Sequence, residues 1–271
     1  MTKSLGLSLV ALLATGCSLA ATPWRTQGSR EYALPYLERT CLAEKQKQTV
    51  TLLDAGAEPR KPLRFFPRED LEASLAIFEA PEFTDSDVTL TLETIGKGAS
   101  GQTCYRFFAQ GAHPEPDKDA DNPIVGVLRI GSHGDMGLAT DALDVHSYAA
   151  ERDLFWALVL AQPRLPSEPV GIGARWRFRA RGRRGGELFA LDFVYELVER
   201  NGSRVELAVD RHIVRPAQDI QGPRGFAMSV DELDSYDLGR LELDLVDAPL
   251  ASFSFYDEAG KPTVSVRAGY R

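Results

Sequence analysis

Ser132-His133-Gly134-Asp135 sets a hydroxyl, an imidazole and a carboxylate within four residues. These are the side-chain types of nucleophilic acyl transfer. Adjacent residues on one chain seldom converge on a single substrate atom, and no Gly-x-Ser-x-Gly elbow occurs in the chain. Ser132, His133 and Asp135 therefore read as a polar turn ending a strand, with hydrolysis as the weaker reading. Gly96-Lys-Gly-Ala-Ser-Gly101 spells the glycine pattern of a dinucleotide loop. That loop needs a helix behind it to hold a pyrophosphate; here the strand-like Thr103-Cys-Tyr-Arg-Phe-Phe108 follows, so the segment reads as a hairpin turn. Asp141, Asp144 and His146 have the chemistry of metal ligands, but they also stand where a helix N-terminus favours acidic groups. Asp231, Glu232, Asp234 and Asp237 lack the glycine and ligand spacing of a calcium loop and read as a solvated edge. No residue is assigned to catalysis or to a metal, and no cofactor is expected.

Cationic side chains concentrate in one place. Arg175, Arg177, Arg179, Arg181, Arg183 and Arg184 alternate along one strand and into its turn. Guanidinium groups grip phosphate with paired hydrogen bonds, so this stripe is a candidate contact for anionic lipid headgroups or envelope glycolipids. The competing reading pairs these arginines with Asp192, Glu196 and Glu187 on the neighbouring strand. The chain as a whole is acidic: 31 Lys and Arg against 39 Asp and Glu give a net charge of −8. Nucleic acid is not an expected partner, because phosphate neutralisation calls for an excess of cations.

The elements that carry these residues are mostly strands. The 271 residues suffice for a large core, and 13 Phe, 8 Tyr and 3 Trp exclude a wholly disordered chain. Strand composition appears at 49–53, 88–95, 103–108, 124–130, 175–181, 188–199, 204–214, 240–246, 251–256 and 263–267, while 71–78 fits a strand or a short helix, with the strand preferred. The segment 54–62 reads as a turn from its Gly and Pro content. Asn201-Gly202 predicts a two-residue hairpin of the I′ class, with Glu199 opposite Arg204 and Asp192 opposite Arg211. Phe189, Leu191, Phe193, Tyr195 and Leu197 then share one face, joined by Trp176 and Phe178. A main helix is expected at about 145–161, ended by Pro163. The expected class is α+β, mainly antiparallel β: a curved sheet or half-barrel packed on that helix.

The N-terminus carries a separate message. Lys3 is the sole charge before Arg25, and Ser4 to Gly16 is apolar or small, which is the pattern of an export signal. It is too short to span a bilayer, which takes ~20 apolar residues. Leu13-Ala-Thr-Gly-Cys17 resembles the lipobox of bacterial lipoproteins. The resemblance implies removal of residues 1–16 and acylation of Cys17; cleavage after Ala20 is the alternative. Ser18 in the second mature position implies the outer membrane where the cell has one, facing the periplasm or the cell surface. Residues 17–32 read as a tether, and 33–271 as one β-rich domain, with the Pro-rich loop 111–123 as the place where two lobes would divide. Cys41 and Cys104 remain for a disulfide in an oxidising compartment, worth ~4 kcal/mol on the chain-entropy account. Two separate buried thiols are the alternative.

Leu165-Pro-Ser-Glu-Pro-Val-Gly-Ile-Gly-Ala-Arg-Trp176 resembles a pattern of uncharacterised bacterial envelope lipoproteins, in which Val-Gly-x-Gly-Ala-x-Trp opens a hairpin region. Glu58-Pro-Arg60 with Leu63-Arg-Phe65, and Gly239-Arg-Leu-Glu-Leu-Asp-Leu245, are similar to its other landmarks. More loosely, the signal, the lipid-bearing cysteine and the sheet around a helix are similar to lipoprotein-carrier and lipid-binding lipoproteins. The resemblance implies no known activity and transfers no catalytic residues. The leading expectation is a non-enzymatic protein held to a membrane by N-terminal lipid, with a lipid or an envelope protein as partner. Trp176, Phe178, Phe189, Leu191, Phe193 and Tyr195 are the candidate lining of an apolar ligand site. A structural or protein-interaction lipoprotein with a filled core is the alternative, and an envelope hydrolase a weaker one.

Overall fold

Period-two alternation builds this molecule. A strand reading charged-apolar-charged must turn one face to water and bury the other. The computed structural model describes residues 49–66, 71–78, 86–97, 102–110, 124–140, 154, 156–184, 187–221, 227–246 and 248–270. In chain order the first strands are β1 (Thr49–Asp54), β2 (Ala57–Pro62), β3 (Leu71–Phe78), β4 (Ser86–Lys97), β5 (Thr103–Gln110), β6 (Ile124–Ile130) and β7 (Met136–Thr140). The helix α1 is described at 154 and 156–161; the rest of the expected helix lies outside the described residues. Then follow β8 (Pro169–Ile172), β9 (Arg175–Arg184), β10 (Glu187–Asn201), β11 (Arg204–Arg215), β12 (Gln218–Gln221), β13 (Ala227–Val230), β14 (Leu233–Asp244), β15 (Ala248–Tyr256) and β16 (Pro262–Tyr270).

Among the described residues the architecture is mainly antiparallel β with one short helix. Twelve strands form one sheet in the order β1-β9-β10-β11-β14-β15-β16-β3-β4-β5-β6-β7. Two meanders make it, β3 to β7 and β9 to β16, and they meet where β16 pairs with β3. β1 is added beyond β9, so strands far apart in sequence become neighbours. β5 and β6, on either side of residues 111–123, pair directly. One apolar cluster joins both meanders to the helix: Leu92 and Phe107 from the first, Trp176, Leu207 and Phe253 from the second, Leu154 and Leu158 from α1. Each such side chain taken out of water contributes ~1.5–3 kcal/mol.

Several expectations need correction. The segment 54–62 is not only a turn: β2 pairs with β8 in a small second sheet. β14 begins at Leu233, seven residues before the expected strand, and thereby takes in part of the acidic cluster. The strands β7, β12 and β13 carried no sequence signal strong enough to stand out. The hairpin register also differs. Asn201 pairs with Arg204, so Gly202 and Ser203 form the turn, and Gly202 takes φ 63° at its first central position. That is the place where a II′ turn demands glycine. A bulge between Leu197 and Glu199 then shifts the ladder, and Asp192 faces His212 while Arg211 faces Phe193. The expected pairs Glu199–Arg204 and Asp192–Arg211 do not form: with Gly202 and Ser203 as the turn, Glu199 faces Glu206, and the bulge then brings His212 opposite Asp192.

One end of the sheet is tied across by loops. Phe65 N–H donates to the Ser132 carbonyl at 2.8 Å, and Phe66 N–H donates to the Leu245 carbonyl at 2.8 Å. Leu165 N–H donates to the His133 carbonyl at 2.8 Å. The segment after α1 thus rests on the β6–β7 turn and also reaches β9, as described below.

Candidate functional site

The aromatic residues singled out in the sequence share one face. Trp176 pairs with Tyr195, and Phe178 with Phe193, across the β9–β10 ladder. Trp176 and Tyr195 stack with centroids 5.6 Å apart, while Phe178 and Phe193 meet edge to face at 6.1 Å. Leu191 is buried beside them. Phe189 is partly buried and meets Trp156 of α1 edge-on at 5.4 Å. The six residues and the described residues of α1 belong to one apolar cluster.

Polar groups are held inside the same region. Gln162 and Arg164, just beyond α1, are 1% and 5% exposed. Trp176 Nε1–H donates to the Arg164 carbonyl at 2.6 Å, which fixes the backbone there. The Arg164 guanidinium lies over the Phe178 ring, 5.3 Å from its centroid. Its Nη1 reaches the Gln162 carbonyl at 3.4 Å, a long contact, and its Nε has no partner. Burial lowers the Arg164 pKa to about 10, partly offset by Tyr195 and Asp135. Burial also raises the Tyr195 hydroxyl well above its ordinary value, although Arg164 opposes the shift.

The Ser132-His133-Gly134-Asp135 segment is the turn between β6 and β7, closed by Gly131 N–H donating to the Asp135 carbonyl at 2.7 Å. Ser132 Oγ and His133 Nδ1 are 3.2 Å apart, and Gln102 Nε2 donates to Asp135 Oδ2 at 2.9 Å. The serine thus occupies the imidazole nitrogen that an orienting carboxylate would use. Nε2 of His133 is buried without a partner. Burial and the nearby Arg64 charge lower the His133 pKa.

Sequence reasoning missed a second polar set on the inner face. Arg211 and Asp237 stand opposite each other on β11 and β14, both almost fully buried and bonded to one another. Arg211 Nε donates to Asp237 Oδ2 at 3.0 Å, and its guanidinium lies 4.3 Å from the Phe255 ring centroid. Ser235 Oγ also donates to Asp237. Four residues further along β11, Arg215 Nη1 donates to the buried Glu187 at 3.2 Å. This corrects two expectations. Asp237 is not at a solvated edge, and Glu187 faces inward rather than serving the arginine stripe. The signal was present as parity: Val205, Leu207, Val209, Arg211, Ile213 and Arg215 all alternate onto the buried face.

The arginine stripe lies on the other face. Arg177 binds Asp192 through Nε and Nη2, both at 2.6 Å, and Arg179 Nε donates to the same carboxylate at 3.0 Å. Arg175 is 3.8 Å from Glu196. Partial burial raises the Asp192 pKa, but hydrogen bonds and charge from Arg177 and Arg179 outweigh it and leave the carboxyl below its ordinary value. Asp192 and Glu196 thus answer the cross-strand reading. Arg179 and Arg181 border a depression of about 490 Å³ with His212 and Val214. Arg183 and Arg184 continue β9, opposite Leu188 and Glu187 in the ladder.

Cys104 is fully buried and disulfide-bonded. The other two cysteines, Cys17 and Cys41, lie outside the described residues, as do Asp141, Asp144 and His146. No group of metal-binding side chains occurs among the described residues, and no described helix is long and apolar enough to cross a membrane. Compared with known protein families, curated proteins and solved structures, the chain matches none of them.

Proposed function

We propose that this chain is a membrane-anchored cell-envelope lipoprotein, non-enzymatic, whose sheet curves as a half-barrel around α1 and receives a lipid or another apolar ligand. The anchor is the lipid on Cys17. Two or more acyl chains at ~0.8 kcal/mol per buried methylene hold such a protein on a bilayer. One observation carries the ligand reading: a single apolar face shared by both meanders and α1, rich in aromatic side chains, with buried polar groups of incomplete hydrogen bonding at its margin. Apolar walls with a few placed polar groups are the chemistry of small-molecule sites. The close ring contacts among Trp176, Tyr195, Phe178 and Phe193 favour the alternative, a structural or protein-interaction lipoprotein with a filled core.

Native mass spectrometry of the full chain purified from its own cells separates the two readings. A carrier retains an added lipid mass that is lost on solvent extraction. A bare protein mass, acyl chains aside, leaves the filled-core reading. The anchor is tested by metabolic labelling with a clickable fatty acid, where Cys17→Ser abolishes the signal; equal labelling of both proteins removes the lipoprotein assignment.

A further inference from the structure

Arg164 and Gln162 carry hydrogen-bonding capacity that the described residues leave unused. Both atoms of the Gln162 amide and Nε of Arg164 are buried without a partner. Among the described residues, the one bond made by the guanidinium is the 3.4 Å contact to the Gln162 carbonyl. No carboxylate lies within ion-pair distance of Arg164 among the described residues. Asp135, a nearby negative charge, is engaged with Gln102. Folded proteins satisfy the great majority of buried polar groups, and a buried charge normally has a counter-charge. Three orphaned polar atoms within three residues are therefore an unusual feature. The backbone that holds them is itself well tied, through Trp176 Nε1–H to the Arg164 carbonyl and Leu165 N–H to the His133 carbonyl. The guanidinium also lies against an apolar ring, that of Phe178.

The geometry points to a recognition site for the anionic head of a single-headed amphiphile, with Arg164 and Gln162 as the head-group contacts and the Phe178 side of the sheet taking the alkyl chain. The inference rests on the apolar-ligand reading above and adds the ligand's class. A carboxylate or phosphate oxygen accepts from Nε and Nη of Arg164 in the paired geometry that guanidinium favours. The Gln162 amide adds one more donor. The aromatic rings then remain in contact with hydrocarbon.

The test uses the full chain carrying Cys17→Ser, so that its own acyl groups do not compete. N-phenyl-1-naphthylamine, a neutral fluorescent probe, is bound and then displaced with dodecanoate, dodecyl phosphate or dodecanol. We expect one or both anions to displace the probe at concentrations at least tenfold below dodecanol. The better of the two identifies the head as carboxylate or phosphate. Arg164→Gln should remove that preference while leaving dodecanol within twofold. Gln162→Leu should weaken the anions at least threefold, again without change for dodecanol, and it is decisive if Arg164→Gln does not fold. Equal displacement by all three compounds, or an unchanged preference in the folded variants, overturns the head-group assignment and leaves the apolar-ligand reading standing. If the probe does not bind and no amphiphile does, both fall together.

Discussion

Removing Asp237 tests the inner-face ion pair most sharply. Asp237→Ala leaves Arg211 at 3% exposure without its carboxylate. Breaking a buried pair by deleting one partner costs about 3–5 kcal/mol, because the remaining charge stays desolvated. With a urea m-value of about 3 kcal/mol/M for a chain of this size, a loss of about 4 kcal/mol lowers the midpoint by about 1.3 M. Arg211→Leu should give a loss of similar size and also removes the contact with the Phe255 ring. The double variant Arg211→Leu/Asp237→Leu replaces the pair by apolar groups and should recover most of the loss, since such replacements are often neutral or better. Urea titration of the full chain, followed by tryptophan fluorescence, reads all four proteins; Trp176 is fully buried and reports the core. The hairpin register expected from Asn201-Gly202 alone would place Arg211 beside Asp192, and an exposed pair is worth only about 0–1 kcal/mol. Single variants within about 1 kcal/mol of the parent, or a double variant losing the sum of the singles, would refute the buried pairing.

Two further outcomes follow from local geometry. Gly134 takes φ 79°, and an added Cβ would stand 1.9 Å from the Pro163 carbonyl oxygen; Gly134→Ala should therefore lose at least about 2 kcal/mol in thermal or urea melts. Gly202→Ala, with φ 63° but nothing within 4 Å, should lose only about 1 kcal/mol, so equal effects would discount the Pro163 contact. His133 binds its proton less tightly in the folded chain than in the unfolded one, through burial and Arg64. Its contribution to stability is thus present above the ordinary histidine range and is lost as pH falls below about 6.5, by at most about 1.4 kcal/mol per pH unit. His133→Gln should flatten the urea midpoint between pH 7 and pH 5, and an unchanged slope contradicts this.

The amino-acid order determined the strands whose alternation is strict. Arg175-Trp-Arg-Phe-Arg needs no distant partner to decide which side chains face inward, because period two and the cost of burying guanidinium settle it. The cross-strand answer of Asp192 to Arg177 and Arg179 follows from that alternation and from charge. The turn at Asp257 to Lys261 was equally local: Asp257 Oδ1 accepts from the Ala259 and Lys261 N–H groups. What tertiary structure alone decided is pairing and depth. A β-bulge shifts every later pair by one position, and nothing in Leu197-Val198-Glu199 announces it. The union of β16 with β3, and of β1 with β9, joins segments separated by well over a hundred residues, where no periodicity can specify a partner. Burial of Arg164 is decided the same way. Its residue type favours the surface, and it lies inside because β9, α1 and the β6–β7 turn converge on it from three parts of the chain.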